Sequence, residues 1–411
     1  MNGPAALHLF EGVGLELEYM VVDRETLDVR PCVDLLFRDY SGFQVSDVDN
    51  GPIAWSNELA AHVLELKTNG PTADLGWAAH DFHSNVQLIN RILERHGAVL
   101  LPGGAHPWMD PAGEMRLWPH DAHEIYDLYN LIFDCRGHGW ANLQSAHLNL
   151  PFCGDAEFAR LHTAIRALLP LMPALTASSP ILDGAPSGWL DARLEVYLHN
   201  QERLPELTGR LIPEPVRSEA EYEERIFAPI MAAIMPFDPD GIMDKYFLNA
   251  RGAIARFDRG AIEIRILDVQ ECPLADCSIA RLIVESLRSL TGSGWPALDR
   301  QAAVDTERLR DLFLRVIRDG GAVVVDDREY LQLFGIREKA MTVMEIWQAL
   351  LAQCSSALDV AALDVLNLIL SAGCLSSRIN QALEEDYRRE NLRRVYRRLA
   401  DSLQRNKVFV P

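Results

Sequence analysis

Residues 12 to 22, GVGLELEYMVV, set two glutamates into a run that otherwise has the composition of a buried β-strand. Side chains two apart on a strand share a face. Glu16 and Glu18 therefore stand side by side, with Leu15, Leu17 and Tyr19 opposite. The same one-sidedness returns three times. In HVLELKT, Val63, Glu65 and Lys67 oppose His62, Leu64 and Leu66. In NLQSAHLNL, Ser145, His147 and Asn149 oppose Gln144, Ala146 and Leu148. In AIEIRILD, Glu263 and Arg265 oppose a clean apolar row of Ile262, Ile264 and Ile266. Such strands bury one face of a sheet and turn the other to water or a ligand, which is the habit of antiparallel sheets.

The rest of the chain supplies helices without a regular βαβ alternation. Apolar spacing predicts a helix from about Asp74 to His96, and DAHEIYDLYNLIF reads as another. The stretch up to about residue 57 is rich in Gly, Pro and Asp and reads as a connection. AVLLPGGAHP reads as a buried strand running into a glycine turn. Residues 155–235 are mainly helical in pattern, and a β-hairpin is expected to turn at Asp258-Arg259-Gly260. LADCSIARLIVESLRSL is helical, as is nearly everything beyond residue 300. The chain ends in a long arginine-rich segment with Ser376 and Ser377 as candidate N-caps. The expected class is α+β with an antiparallel sheet covered by helices. The expected division is a catalytic region, residues 1–295, and a mainly helical region, 296–411, packed on it.

The formal charge of −20 over 411 residues argues against a general nucleic-acid or anionic-membrane binder, which needs a basic surface. It leaves room for a local basic pocket. The N-terminus has no basic region followed by a long apolar core, and no uninterrupted apolar stretch has membrane-spanning length. Seven scattered cysteines without a CxxC fit reduced thiols, so the expected location is cytoplasmic.

A solvated face explains any one of the four strands taken alone. Taken together they carry four glutamates with single His, Arg and Asn residues and one lysine, and adjacent like charges repel unless a cation lies between them. If the faces converge, the carboxylates and the imidazole form a site for hard divalent ions, Mg²⁺ or Mn²⁺ in preference to zinc. Elsewhere, His80 with His83 and His120 with His123 form HxxH pairs without an evident third ligand. Cys135 and Cys272 read as small core thiols rather than nucleophiles. The arginines at 388, 389, 393, 394, 397 and 398 read as a solvated face or a dimer contact. No P-loop, dinucleotide fingerprint or GxSxG elbow is present.

GLELEYMVV, NELAAHVLELKTNGP, GGAHP, SAHLNL and GAIEIRILDV, in that order, resemble the glutamate–cysteine ligase family, particularly its bacterial carboxylate–amine ligase branch. The resemblance covers roughly residues 10 to 290. It implies a glutamine synthetase-like fold whose curved sheet forms a funnel for ATP and Mg²⁺. It also implies an ADP-forming reaction that joins a glutamate-like carboxylate to an amine through an acyl phosphate. By position, Glu16, Glu18, Glu58, Glu65, His147 and Glu263 match the family's metal ligands. Arg265 is the arginine of its E-x-R motif, expected at phosphate, and Arg193 stands where relatives carry a glutamate-binding arginine. Lys67, Arg251 and Arg256 are further phosphate candidates, while Asn149 and Tyr126 are candidate supporting or substrate contacts. Ser145-Ala146-His147 departs from the family's HxHxN, which bears on substrate identity. The implied partners are small molecules, not nucleic acid or membrane, and a homo-oligomer is compatible with the sequence. A sensor or interaction subunit on the same fold is the alternative, with a guanidino kinase-like phosphotransferase third.

Overall fold

The computed structural model describes residues 6–292 and 298–411. Eight strands form one sheet: β1 (Gly14–Asp23), β2 (Asp47–Asn50), β3 (Ile53–Asn57), β4 (Val63–Thr68), β5 (Ala98–Leu101), β6 (Ser145–Pro151), β7 (Ala253–Arg256) and β8 (Ala261–Asp268). Their order is β2-β3-β4-β1-β6-β8-β7, with β5 pairing the far end of β1, and every pairing is antiparallel. The open sheet and its helices fit the expected α+β class.

Register carries the acidic residues to a common place. Glu16 lies opposite Lys67 on β4 and His147 on β6, and Glu18 lies opposite Glu65. Glu263 lies opposite Asn149. A slip of one residue would send every one of these side chains to the other face, so the apolar set fixes the register. Leu15, Leu17, Leu66, Leu148, Ile262 and Ile264 are all buried in one core, each worth about 1.5–3 kcal/mol.

One irregularity was invisible in the sequence. Along the β6–β8 ladder Ile264 pairs with Leu148, yet Leu267 and not Ile266 pairs with Ala146. This bulge sets Arg265 and Ile266 against the single residue His147 and reverses the alternation beyond it. Asp268 thereby comes opposite Ser145, on the acidic face, where simple alternation puts it with the isoleucines.

Helices cover the apolar side and close over the acidic one: α1 (Val33–Ser41), α2 (Leu75–Leu93), α3 (His123–Phe133), α4 (Ala192–Tyr197), α5 (Pro273–Thr291), α6 (Leu375–Leu383) and α7 (Arg389–Arg405) are those used below. Helix α2 starts where Asp74 accepts hydrogen bonds from the backbone N–H of Gly76 and Trp77. It packs against α5, which has Pro273 in its first turn. Helix α1 and strands β2 and β3 replace the expected connection before residue 57. The core runs without a break from Val13 to Phe409. The expected boundary at 295/296 lies outside the described residues.

The C-terminal expectation needs correcting. Ser376 and Ser377 do not cap an arginine-rich helix; they lie inside α6, whose N-cap position is Cys374. The chain breaks at Glu384 and Glu385, both at positive φ, before α7 begins. Several arginines of α7 fasten the chain to itself, although Arg389 and Arg394 remain exposed. Arg397 donates to the carbonyls of Arg24 and Glu25 at 3.0 and 2.6 Å. Arg389 pairs with Asp28 and lies 3.9 Å over the Trp108 ring, and Arg398 donates to the Val410 carbonyl. Among the described residues no single helix is long and apolar enough to cross a membrane. Residues 360–372 and 375–383 reach that length only as a pair bent by 57°.

Candidate active site

A cavity of about 620 Å³ opens on the acidic face of the sheet, with side chains of α3 and α4 among its walls. Glu16, Glu18, Glu58, Glu65, Lys67, Tyr126, His147, Arg193, Arg256, Glu263 and Arg265 all line it. Asn149 stands at its edge and donates to Glu16 Oε1 at 3.0 Å. One expected residue is elsewhere. Arg251 is held by both oxygens of Glu214, at 2.6 and 2.7 Å, and by backbone carbonyls, so it does not reach the cavity.

His147 is the hub. Its Nδ1 lies 3.0 Å from Glu16 Oε2 and 3.7 Å from Glu263 Oε1, while its Nε2 lies 3.9 Å from Glu18 Oε1. Ser145 Oγ is 2.9 Å from the same Nε2, and the Ser145 N–H donates to Glu18 at 2.7 Å. Two groups each offer three ligand atoms within 4.8 Å of one another: Glu16, His147 and Glu263, and Glu18, Glu65 and His147. Oxygen-rich sets of this kind suit hard divalent cations. Glu58 belongs to neither group but lies close enough to Glu18 and Glu65 to feel their charge.

The electrostatics record the crowding. Burial, together with Glu16 and Glu18, pushes the Glu65 carboxyl up to about 7 against the pull of Lys67 and Ser56. Burial beside Glu18 and Glu65 raises Glu58 well above the carboxylate range. Glu16 goes the other way despite its burial. The hydrogen bond and charge of His147, with Lys67 and Arg265, hold it at about 2. Uncompensated carboxylates in one buried place are costly, and a bound cation is the ordinary relief.

Positive charge rings the carboxylates. Lys67 Nζ bonds Glu65 Oε1 at 3.0 Å and Ser56 Oγ at 2.8 Å. Arg256 and Arg265 approach Glu263 at 3.7 and 3.5 Å. Arg265 Nε is buried and faces Glu263 Oε1 at 3.5 Å, beyond good hydrogen-bonding distance, so the pair is an ion pair and not a tight hydrogen bond. Arg193 is buried and ion-paired through Nε to Asp268. Tyr126 OH accepts from Asn57 at 3.3 Å. Sequence reasoning missed Ser56, because β3 was read as a loop, and Asp268, because the bulge is not encoded in the alternation.

The remaining candidates have structural explanations. His83 bonds the Gln404 carbonyl and His123 the His120 carbonyl. Neither HxxH pair belongs to a potential metal group among the described residues. Cys135 and Cys272 are buried, and burial raises their thiols, Cys135 to about 12.

The sequence profile of glutamate-cysteine ligase family 2 matches residues 12–397. The chain belongs to this family. Family members it resembles include the "Putative glutamate--cysteine ligase 2-3" of Rubrobacter xylanophilus, 28% identical over 45% of this chain and 48% of that protein. Another is the "Putative glutamate--cysteine ligase 2" of Bradyrhizobium sp., 29% identical over 54% of this chain and 50% of that one. The match thus spans about half the length of these named ligases. An uncharacterised protein of Archaeoglobus fulgidus is 32% identical over 67% of this chain and 74% of its own length. Among solved structures, a bifunctional glutathione synthetase from Pasteurella multocida shares the fold. Its TM-score is 0.55 at 11% identity, covering 97% of this chain and 53% of that one. The family is thus that of glutamate-cysteine ligases, and the fold is one shared with the glutathione synthetase.

Proposed function

We propose that the chain is an ATP- and Mg²⁺-dependent ligase that forms an amide between a glutamate-like carboxylate and an amine through an acyl phosphate, releasing ADP. The observation that carries this reading is the convergence of Glu16, Glu18, Glu65, Glu263 and His147 in one cavity ringed by Lys67, Arg256 and Arg265. A merely solvated face has no reason to bury three carboxylates, Glu18, Glu65 and Glu263, beside a half-buried fourth at this cost.

A carboxylate is a poor acyl donor, because oxide is not a leaving group at neutral pH. Attack of a carboxylate oxygen on the γ-phosphorus breaks its bond to the β,γ-bridging oxygen and releases ADP. The amine nitrogen then attacks the acyl carbon, phosphate leaves with the former carboxylate oxygen, and the nitrogen gives up a proton. Such transfers depend mainly on positioning and charge neutralisation. A divalent ion held by His147 with one of the two carboxylate sets that share it would supply part of that neutralisation, and the other carboxylates could hold a second ion without the imidazole. Arg265 and Arg256, which line the cavity, fit the phosphoryl oxygens, since a guanidinium is planar and stays charged. Lys67 and Arg193 also line the cavity, and a carboxylate of the acid would pair with Arg193. Asn149 holds Glu16 in its orientation toward His147.

The test is ADP release from ATP and Mg²⁺ with L-glutamate and a panel of amines. ADP that forms only when acid and amine are both present supports the ligase. ATP binding without turnover for any pair would favour a sensor on the same fold, and phosphorylation of a guanidino compound would favour a kinase.

A further inference from the structure

Arg193 is held by an arrangement that the metal and phosphate chemistry does not use. Its Nε is taken by Asp268, its Nη2 reaches the Arg265 carbonyl at 3.5 Å, and its backbone N–H donates to Ser179 Oγ at 3.0 Å. Nη1 has no protein partner among the described residues, and the side chain lines the cavity. Asp268 is itself fixed from behind. Its Oδ2 accepts from the Ser178 N–H at 2.8 Å and from Ser179 Oγ at 2.8 Å. Gly104 leaves the room it needs, since a Cβ there would fall 2.4 Å from the carboxylate. Asp191 adds a second buried carboxyl beside the pair and caps Leu194 at the start of α4. Burial and the neighbouring Asp268 raise the Asp191 carboxyl above its usual range, against the pull of Arg193.

Asp268 reaches this place only because the bulge at Arg265–Ile266 turns it onto the cavity side. Arg265 reaches this face by simple alternation, and the distortion that follows it in β8 puts Asp268 behind Arg193 on the same side. A buried arginine with one edge of its fork fixed presents the other edge in a set orientation, which suits a carboxylate.

We propose that Asp268, braced by Ser178 and Ser179, is a positioning residue that fixes Arg193 as the receptor for a carboxylate of the acid substrate. The proposal rests on the ligase reading, and it concerns the acid alone. It predicts a split between substrates: the acid is lost and the nucleotide is not.

The test is calorimetric binding of L-glutamate and glutarate, and separately of ATP with Mg²⁺, to the full chain and its variants. Asp268→Asn is expected to weaken binding of the acid at least 10-fold while ATP affinity stays within about 2-fold. Arg193→Ala is expected to do the same, and the double variant to be no worse than Arg193→Ala alone, because both act through one contact. If Asp268→Asn fails to fold, Ser179→Ala removes one brace and is expected to weaken the acid about 3-fold. Unchanged acid binding in the folded variants would overturn the proposal. So would equal losses for acid and ATP, or no binding of either acid by the wild type. The ADP assay decides the ligase reading independently of these outcomes.

Discussion

His147 Nδ1 and Glu16 Oε2 face each other at 3.0 Å across the β1–β6 ladder, and Glu263 stands 3.7 Å from the same nitrogen. Two acidic strands therefore share one imidazole, whose second nitrogen faces Glu18. The site is built from strand register, which holds these groups more rigidly than loops would.

Loss of a ligand in the Glu16–His147–Glu263 group should act on the metal before it acts on the fold. Glu16→Gln and Glu263→Gln are expected to weaken Mn²⁺ binding at least 10-fold and to cut turnover about 100-fold or more. Without metal the thermal midpoint should hold for Glu263→Gln but fall for Glu16→Gln, because the Glu16 carboxylate that His147, Lys67 and Arg265 hold at about 2 stabilises the fold near neutral pH. Calorimetric titration with Mn²⁺ and ADP release check the two halves. Near-normal turnover in both variants would remove these residues from the site.

Glu65 should reveal a conflict between stability and function. Its folded carboxyl is raised to about 7, above the usual value of 4.5. The favourable protonated form is fully present below pH 4.5 and is lost as pH rises through 7. At pH 8 the buried charge then costs about 2–3 kcal/mol. Glu65→Gln is expected to raise the metal-free Tm at pH 8, to lose that gain near pH 4.5, and to blunt stabilisation by added Mg²⁺. Thermal unfolding at the two pH values checks this.

Much of the site could be read from the sequence, because one-sided strands report which residues share a face. Glu16, Glu18, Glu65, His147 and Glu263 come together because alternation and register are both set by the buried leucines and isoleucines. Alternation says nothing of where it breaks, so Asp268 was invisible until the bulge was seen. Nor does it say which arginines reach the cavity. Arg256 lines it even though Asp258 takes its Nε and Nη2 at 3.1 and 2.9 Å, whereas Glu214, 37 residues away in sequence, holds Arg251 elsewhere. The same limit applies to α7, where nothing local in the sequence shows that Arg397 reaches the carbonyls of Arg24 and Glu25.

Three buried histidines should set the acid limit of stability. Burial lowers His62 and His106 to about 4 and His162 to about 3. Their unfolded forms take up protons near pH 6.5, so stability is lost as pH falls from 6.5 toward 4. Each contributes on the order of 2–3 kcal/mol to that loss. Glu65 titrates with the opposite sign in the same window. His62→Gln is therefore expected to flatten the decline in Tm between pH 6.5 and 4, which a pH series on both proteins measures.

The C-terminus depends on one buried ion pair. Arg378 and Glu271 are fully buried, 2.5 Å apart, and together they hold the backbone of Phe409 through its carbonyl and its N–H. Arg378→Ala leaves Glu271 charged and alone, at a cost of about 3–5 kcal/mol. Denaturant unfolding should show that loss, and proteolysis should reach residues 405–411 first. A change within experimental error would mean that the tail is held by something else.

The central claim is that a carboxylate is activated in this cavity by taking the γ-phosphoryl group of ATP. It is tested most directly with an acid substrate carrying ¹⁸O in both carboxylate oxygens. The account predicts that each phosphate released with ADP carries one ¹⁸O, transferred when the amine displaces the acyl phosphate. Phosphate free of the label, or transfer of the label to AMP, would contradict it.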